Sequence, residues 1–405
     1  MDFELTRSEN DETLLAQIDS IKTAENIQVL IPFAKAYLGM FYVIEKELAE
    51  KEKVKLLAND TLSEAIFSGF IASLERRELP STEQIAHAKA EKKEFSEGYV
   101  VLAGLDLIAK KSLTNISELD DDLIEKAIAF HFSNQSGYCD IWFEHLLVHH
   151  KNKVSTAMSK YWVAMLKNNA SYLPGKNLVL GTNPDTEIIE NTILALLENW
   201  SHCKVKTLLQ LLRMAFIYSD KDKLLQVCEK VLVSPDSLRE RAHLYWLATA
   251  YLLAPEKYFA RLSNYVGRVK LKIMPLLDFI VLMLESKVEV NVKTITQLLR
   301  MIAPVFPPQH HVYGAIGSLD INSKNVMLLF YHLAQLKGED IIGEVKSLRK
   351  ARVMKIYSGV IDNLLEIHMR RKDENDFSFP DFNTYIEVLA DNDCLQGRSN
   401  KFDLR

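Results

Sequence analysis

The stretch Ser234–Gly267, SPDSLRERAHLYWLATAYLLAPEKYFARLSNYVG, constrains the fold more tightly than any other. Ser234 offers an N-cap oxygen, and Pro235 suits the first helical position, where its missing N–H costs nothing. Asp236 then places negative charge at the positive end of the helix dipole. Leu238, Ala242, Tyr245, Trp246, Thr249, Leu252 and Leu253 recur at helical spacing and form one broad apolar stripe. Ala254-Pro255 interrupts the chain. Glu256 opens a second helix with Tyr258, Phe259, Leu262, Tyr265 and Val266 inward, and Gly267 serves as its C-cap. Such a pair has no core of its own and must stack on neighbours of the same kind.

The remaining chain repeats this theme. Only 14 Gly and 11 Pro occur in 405 residues, too few for a sandwich that turns every few residues, and no segment alternates with period two over several strands. The expected fold is all-α, a HEAT- or TPR-like α-solenoid of about eighteen antiparallel helices. Capping boxes are expected at Thr61–Glu64 and Ser81–Gln84. The polar stretch from Ser81 to about Glu97 suits a surface helix or linker. Val101–Lys111, mostly apolar, is expected to be buried.

The expected organisation is an N-terminal helical segment with a charged linker over 1–98 and a central repeat array over 99–302. An irregular Pro/His loop follows at 303–323, then a C-terminal helical bundle at 324–390 and a disordered tail at 391–405.

Charge is uneven. Residues 1–126 carry 25 Asp and Glu against 15 Lys and Arg, whereas the remainder carries 29 against 34. A generic duplex-binding surface asks for more positive charge than this. Cys139, Cys203, Cys228 and Cys394 are widely spaced and form no CxxC or Cys/His cluster, so neither a zinc site nor a disulfide framework is indicated, and the acidic N-terminus is not expected to act as a signal peptide. A cytoplasmic protein is expected. No apolar run nears the ~18 residues of a membrane span, and no membrane partner is expected.

Several patterns invite a chemical reading. His145 and His149 share a helix face, but no HExxH glutamate accompanies them, and His150 is expected to point elsewhere. Asp120-Asp121-Asp122 suits a helix start better than a cation loop. Asp278, Glu285 and Lys287 have the residue types of a metal-dependent nuclease. That chemistry wants acids presented by strands, and Leu276, Phe279, Ile280 and Met283 around them keep helical spacing. Neither a P-loop nor a Rossmann glycine pattern appears, so no cofactor, metal or catalytic residue is expected.

Two stretches remain as interaction surfaces. One is the long loop with Phe306, His310, His311 and Tyr313, since long loops carry function more often than core helices do. The other is the basic run Lys346, Arg349, Lys350 and Arg352, which also gives an alternative function as a nucleic-acid-binding helical scaffold.

Six stretches carry a family resemblance: Leu102–Leu107, Leu119–Leu123, Trp142–Leu146, Arg241–Leu247, Leu252–Tyr258 and Ala303–Pro308. In their order and spacing they resemble the C-terminal helical region of bacterial NACHT-type STAND P-loop NTPases, over roughly Leu62 to Ala390. The resemblance implies a non-catalytic sensor or scaffold region that binds a protein partner or trigger in bacterial, including anti-phage, signalling. The phosphate-binding loop and Mg-binding acid of that family have no counterpart in this sequence. The implied arrangement is therefore a separated sensor region, or one whose partner supplies the NTPase or effector domain in trans.

Overall fold

The computed structural model describes residues 11–41, 44, 47–76, 78–134, 141–170, 172–175, 185–199, 201, 203–233, 239–286, 288–307, 321–338, 340–373 and 380–391. These residues are predominantly helical, with no strand among them. The chain divides into two compact units, Met1–Leu211 and Leu212–Arg405. Helices are more numerous than expected, because turns too short to show a stripe, such as Glu50–Lys55 and Thr114–Ser117, are helical as well.

Unit 1 begins with α1 (Ile18–Lys22), α2 (Ile27–Tyr37), α3 (Glu50–Lys55), α4 (Asp60–Ala72) and α5 (Thr82–Ala90). It continues with α6 (Glu97–Lys111), α7 (Thr114–Ser117), α8 (Asp121–Asn134), α9 (Ile141–His149), α10 (Lys151–Lys167) and α11 (Thr186–Glu198). α6 is buried as expected, its residues from Tyr99 to Leu105 all shielded from solvent. Two glycines let helices here approach closely. A Cβ on Gly69 of α4 would lie 2.2 Å from the Ile21 carbonyl oxygen, and one on Gly104 of α6 would lie 2.3 Å from that of Phe70. Backbone oxygens cannot rotate away, so both positions require glycine.

Tyr37, Phe67 and Phe70 pack edge to face at 6.0–6.4 Å between centroids and fill the space these approaches leave. Further along, Phe132 is surrounded by His131, Phe143, Tyr161 and Trp162. Ser133 and Tyr161 share a buried hydroxyl contact at 2.7 Å, and the Trp162 indole donates to the Pro174 carbonyl at 2.7 Å.

Caps decide where several helices begin. The Ser81–Gln84 box forms in both directions. The box expected at Thr61–Glu64 does not, because the Asn59 side chain accepts from Leu62 N–H at 2.9 Å and starts α4 before Thr61. Of the surface helix or linker expected from Ser81 to about Glu97, the helix is present as α5, with Thr82, Ile85 and Ala86 buried and His87 bonding Asn168 at 2.7 Å.

α12 (Val205–Tyr218) carries the boundary between the units. Unit 2 continues with α13 (Lys221–Leu232), α14 (Glu240–Leu253), α15 (Pro255–Val266), α16 (Lys270–Glu285) and α17 (Val292–Ile302). A 3-10 turn (Ala303–Val305) precedes α18 (Ile321–Gln335) and α19 (Ile341–Lys350). A second 3-10 turn (Arg352–Tyr357), α20 (Ser358–Asp373) and α21 (Phe382–Asp391) complete it.

The expected pair Ser234–Gly267 is present with two differences. α14 starts at Glu240, and Ser234, Pro235, Asp236 and Leu238 lie outside the described residues. Its burial also exceeds one stripe. Leu244, Leu247, Ala248, Ala250 and Tyr251 are covered along with Tyr245, Trp246 and Thr249, because the helix has neighbours on several sides. Gly267 ends α15 at φ +53°, the left-handed region that favours glycine.

Contacts order these helices in two rows. In one, Lys257 of α15 pairs with Glu229 of α13 at 2.7 Å, and Arg261 donates to the Leu232 carbonyl. Lys293 of α17 pairs with Glu256 of α15 at 2.7 Å, and Thr296 and Arg300 of α17 donate to Glu344 and Ser347 of α19. In the other row, Lys272 of α16 lies 3.5 Å from Glu240 of α14, and Phe279 stacks on Tyr245 at 5.3 Å. Asn325 of α18 donates to Asp278 of α16. Neighbours within a row run parallel, since successive contacts advance along both helices together: Glu229 and Leu232 meet Lys257 and Arg261, Thr296 and Arg300 meet Glu344 and Ser347, and Glu240 and Tyr245 meet Lys272 and Phe279. The rows are mutually antiparallel: the Tyr265 hydroxyl at the end of α15 donates to the Glu240 carbonyl at the start of α14.

Candidate functional site

The two stretches singled out as interaction surfaces come together at one end of unit 2. The parallel run of α17 and α19 brings the C-terminal ends of both helices to the same side. The Tyr357 hydroxyl then donates to the Phe306 carbonyl, tying the turn after α19 to the turn after α17. The Lys270 ammonium sits 5.6 Å above the Phe306 ring, and the Ser323 hydroxyl donates to the Pro307 carbonyl at 3.3 Å. The starts of α16 and α18 therefore belong to this end too.

The individual residues fare differently. Phe306 is only 3 % exposed and is a core residue, not the surface aromatic expected. Two prolines and an irregular backbone suggested a protruding loop, but packing of the turns around Tyr357 and Lys270 buries the ring. His310, His311 and Tyr313 lie outside the described residues. Arg349 is committed to Asp362 through two bonds of 2.6 and 3.0 Å, and that carboxylate raises the proton affinity of its guanidinium. Lys346, Lys350 and Arg352 are exposed.

The nuclease residues are not gathered into a centre. Asp278 and Glu285 lie two turns apart on α16, whose Leu276, Phe279, Ile280 and Met283 are buried. Burial raises the Asp278 carboxyl above its ordinary value, and the amide of Asn325 partly offsets this. Lys287 lies outside the described residues. Asp121 and Asp122 stand in the first turn of α8, paired with Lys153 at 2.6 Å and Lys126 at 2.7 Å.

The histidine cluster on α9 is tighter than expected. The rings of His145 and His149 lie 4.6 Å apart, and His150, expected to point elsewhere, comes within 6.0 Å of His145. The Ser117 hydroxyl bridges them, 2.9 Å from His145 Nε2 and 2.8 Å from His150 Nε2. One hydroxyl proton serves only one of these nitrogens, so the other imidazole donates to the serine oxygen. Partial burial, then the neighbouring imidazoles, hold His145 below the ordinary histidine value.

A charge network that no single stretch of sequence predicts joins α2, α3 and α6. The buried Tyr37 hydroxyl donates to Asp106 at 2.6 Å, and Lys110 bridges Asp106 at 2.7 Å and Glu50 at 3.0 Å. Burial, then the Asp106 carboxylate, pushes the Tyr37 hydroxyl far up. Burial opposes the charge on Lys110, yet its two acids outweigh it and raise its ammonium. The signal was an aspartate inside an apolar helix with a lysine four residues on.

Among the described residues, no group of three or more His, Cys, Asp or Glu side chains is placed to hold a metal ion. No helix of the described residues is long and apolar enough to cross a membrane. No family model, curated protein or solved structure matches this chain.

Proposed function

We propose that this chain is a non-catalytic helical-repeat scaffold, an α-solenoid of the HEAT or TPR kind, that works by binding a protein partner in the cytoplasm. The observation that carries this reading is the rung pattern of unit 2. Thr296–Glu344 and Arg300–Ser347 join one helix pair to the next at sequence separations of 48 and 47, and Asp278–Asn325 joins the opposite row at 47. The separation grows along the row, from 28 for Glu229–Lys257 through 37 for Glu256–Lys293 to 48 for Thr296–Glu344, but each rung joins a helix to the next but one. Stacking of helix pairs produces that pattern, and such stacks present long surfaces suited to macromolecules.

The resemblance to NACHT-type NTPases supports a sensor role whose partner supplies an NTPase or effector domain. The purified chain is expected to hydrolyse neither ATP nor DNA, and mild crosslinking in native cells is expected to couple it to one such protein. Metal-dependent DNA cleavage that disappears in Glu285→Ala would favour the nuclease alternative instead.

The exposed Lys346, Lys350 and Arg352 favour a second reading, a nucleic-acid-binding scaffold. It requires oligonucleotide binding that weakens steeply as salt rises.

A further inference from the structure

The end of unit 2 that holds Phe306 gathers exposed aliphatic side chains. The three most exposed large apolar side chains among the described residues are Leu271 (81 %), Val233 (79 %) and Ile321 (72 %). All three stand there: Val233 just after α13, Leu271 in the first turn of α16, and Ile321 at the start of α18. Val269, Val353 and Ile356 add further exposed aliphatic groups from the turns beside them.

Among the described residues the charges at this end are mostly positive, with Asp362 taken up by Arg349. Arg239, Arg268, Lys270, Lys350, Arg352 and Lys355 are exposed, and none has a carboxylate within 4.0 Å among the described residues. The acid at the start of α14, Glu240, is opposed by Lys272. The opposite end differs: there Glu256 pairs with Lys293, and Asp220 caps α13.

We propose that this end docks peripherally on a bilayer surface containing anionic lipid. The aliphatic groups stand on separate helix ends, projecting outward and separated by helix widths. A protein hot spot concentrates its anchors in one packed pocket and favours aromatic residues. A single-stranded nucleic acid wants exposed aromatic faces, and here Phe306 and Tyr357 are both buried. Dispersed aliphatic tips ringed by cations match a headgroup layer: the tips enter the acyl boundary while Lys and Arg meet lipid phosphates and carboxylates. Docking of this kind needs no helix that crosses the bilayer, and among the described residues there is none. The inference rests on unit 2 alone and is independent of the protein-partner reading.

The test is sedimentation of the full chain with vesicles of phosphatidylcholine alone or mixed with phosphatidylserine. Binding to the anionic vesicles only is expected, weakening as salt rises. Each of Lys350→Glu and Arg352→Glu should lower partitioning about fivefold or more, at ~1 kcal/mol per basic residue. Leu271→Asp should also weaken binding without changing the far-UV circular dichroism. In a separate variant, Leu271→Trp emission should shift to the blue on adding anionic vesicles. Failure to bind anionic vesicles at low salt, an unmoved Leu271→Trp spectrum, or capture of an oligonucleotide in preference to vesicles would each overturn the proposal.

Discussion

Protonating His243 is expected to cost stability, because its surroundings disfavour the charged imidazole. Burial comes first among the causes that hold its imidazole below the ordinary value of 6.5, followed by the positive charges of Arg261 and Lys272. Burial does the same to His332 against the opposing pull of Glu285, and partial burial to His145. The unfolded chain therefore takes up protons near pH 6.5 that the folded chain accepts only at lower pH. The stability these histidines contribute is expected to be complete above that pH, to fall as pH drops through it, and to level off below the lowered folded values. His243→Phe keeps a ring against Tyr265 and should make the decline of melting temperature shallower; an unchanged slope counts against this assignment. Asp106 is the other sensitive position. Asp106→Ala leaves the Tyr37 hydroxyl and Lys110 without their shared partner and should cost about 3 kcal/mol in denaturant unfolding. Asp106→Asn, which keeps an acceptor oxygen, should cost less.

Helix by helix, glycine and caps separate what a pattern states from what packing requires. Gly104→Ala forces a methyl group towards the Phe70 carbonyl and should destabilise unit 1 by about 2 kcal/mol. Gly343→Ala in α19 meets nothing within 4 Å and should stabilise by up to about 1 kcal/mol. In sequence the two glycines look alike, each inside a helical pattern. Only the neighbouring helix gives their substitutions opposite signs, which paired thermal melts would show. The α4 start has the same lesson: Thr61 and Glu64 have the spacing of a box, but Asn59 captures the free N–H first. Phe306→Ala should cost about 3 kcal/mol, because its ring lies in the core of the turn cluster; a loss below 1 kcal/mol would return it to the surface role first expected.

Over the whole molecule, the helix pairs follow from periodicity, while their ordering into rows follows from contacts between residues far apart in sequence. Lys346–Arg352 and the segment around Phe306 were recognised as separate stretches, and nothing in the sequence joined them. They meet because α17 and α19 run parallel in one row. The same geometry brings Val233, Leu271 and Ile321 to that end, where each alone is an unremarkable apolar residue near a helix terminus. The pairing of Tyr37, Asp106, Lys110 and Glu50 was hidden for a like reason, since its members come from three helices.

The sequence by itself determined the local choices: the all-α class, the break at Ala254-Pro255, the cap at Gly267 and the burial of α6. These depend on spacing of a few residues and on backbone preferences that each residue carries with it. The tertiary structure alone decided which helix faces meet, which glycines have no room, and which end of unit 2 gathers its cations and bare aliphatic side chains. Those outcomes are set by distances between segments tens of residues apart, and no short window of sequence contains them.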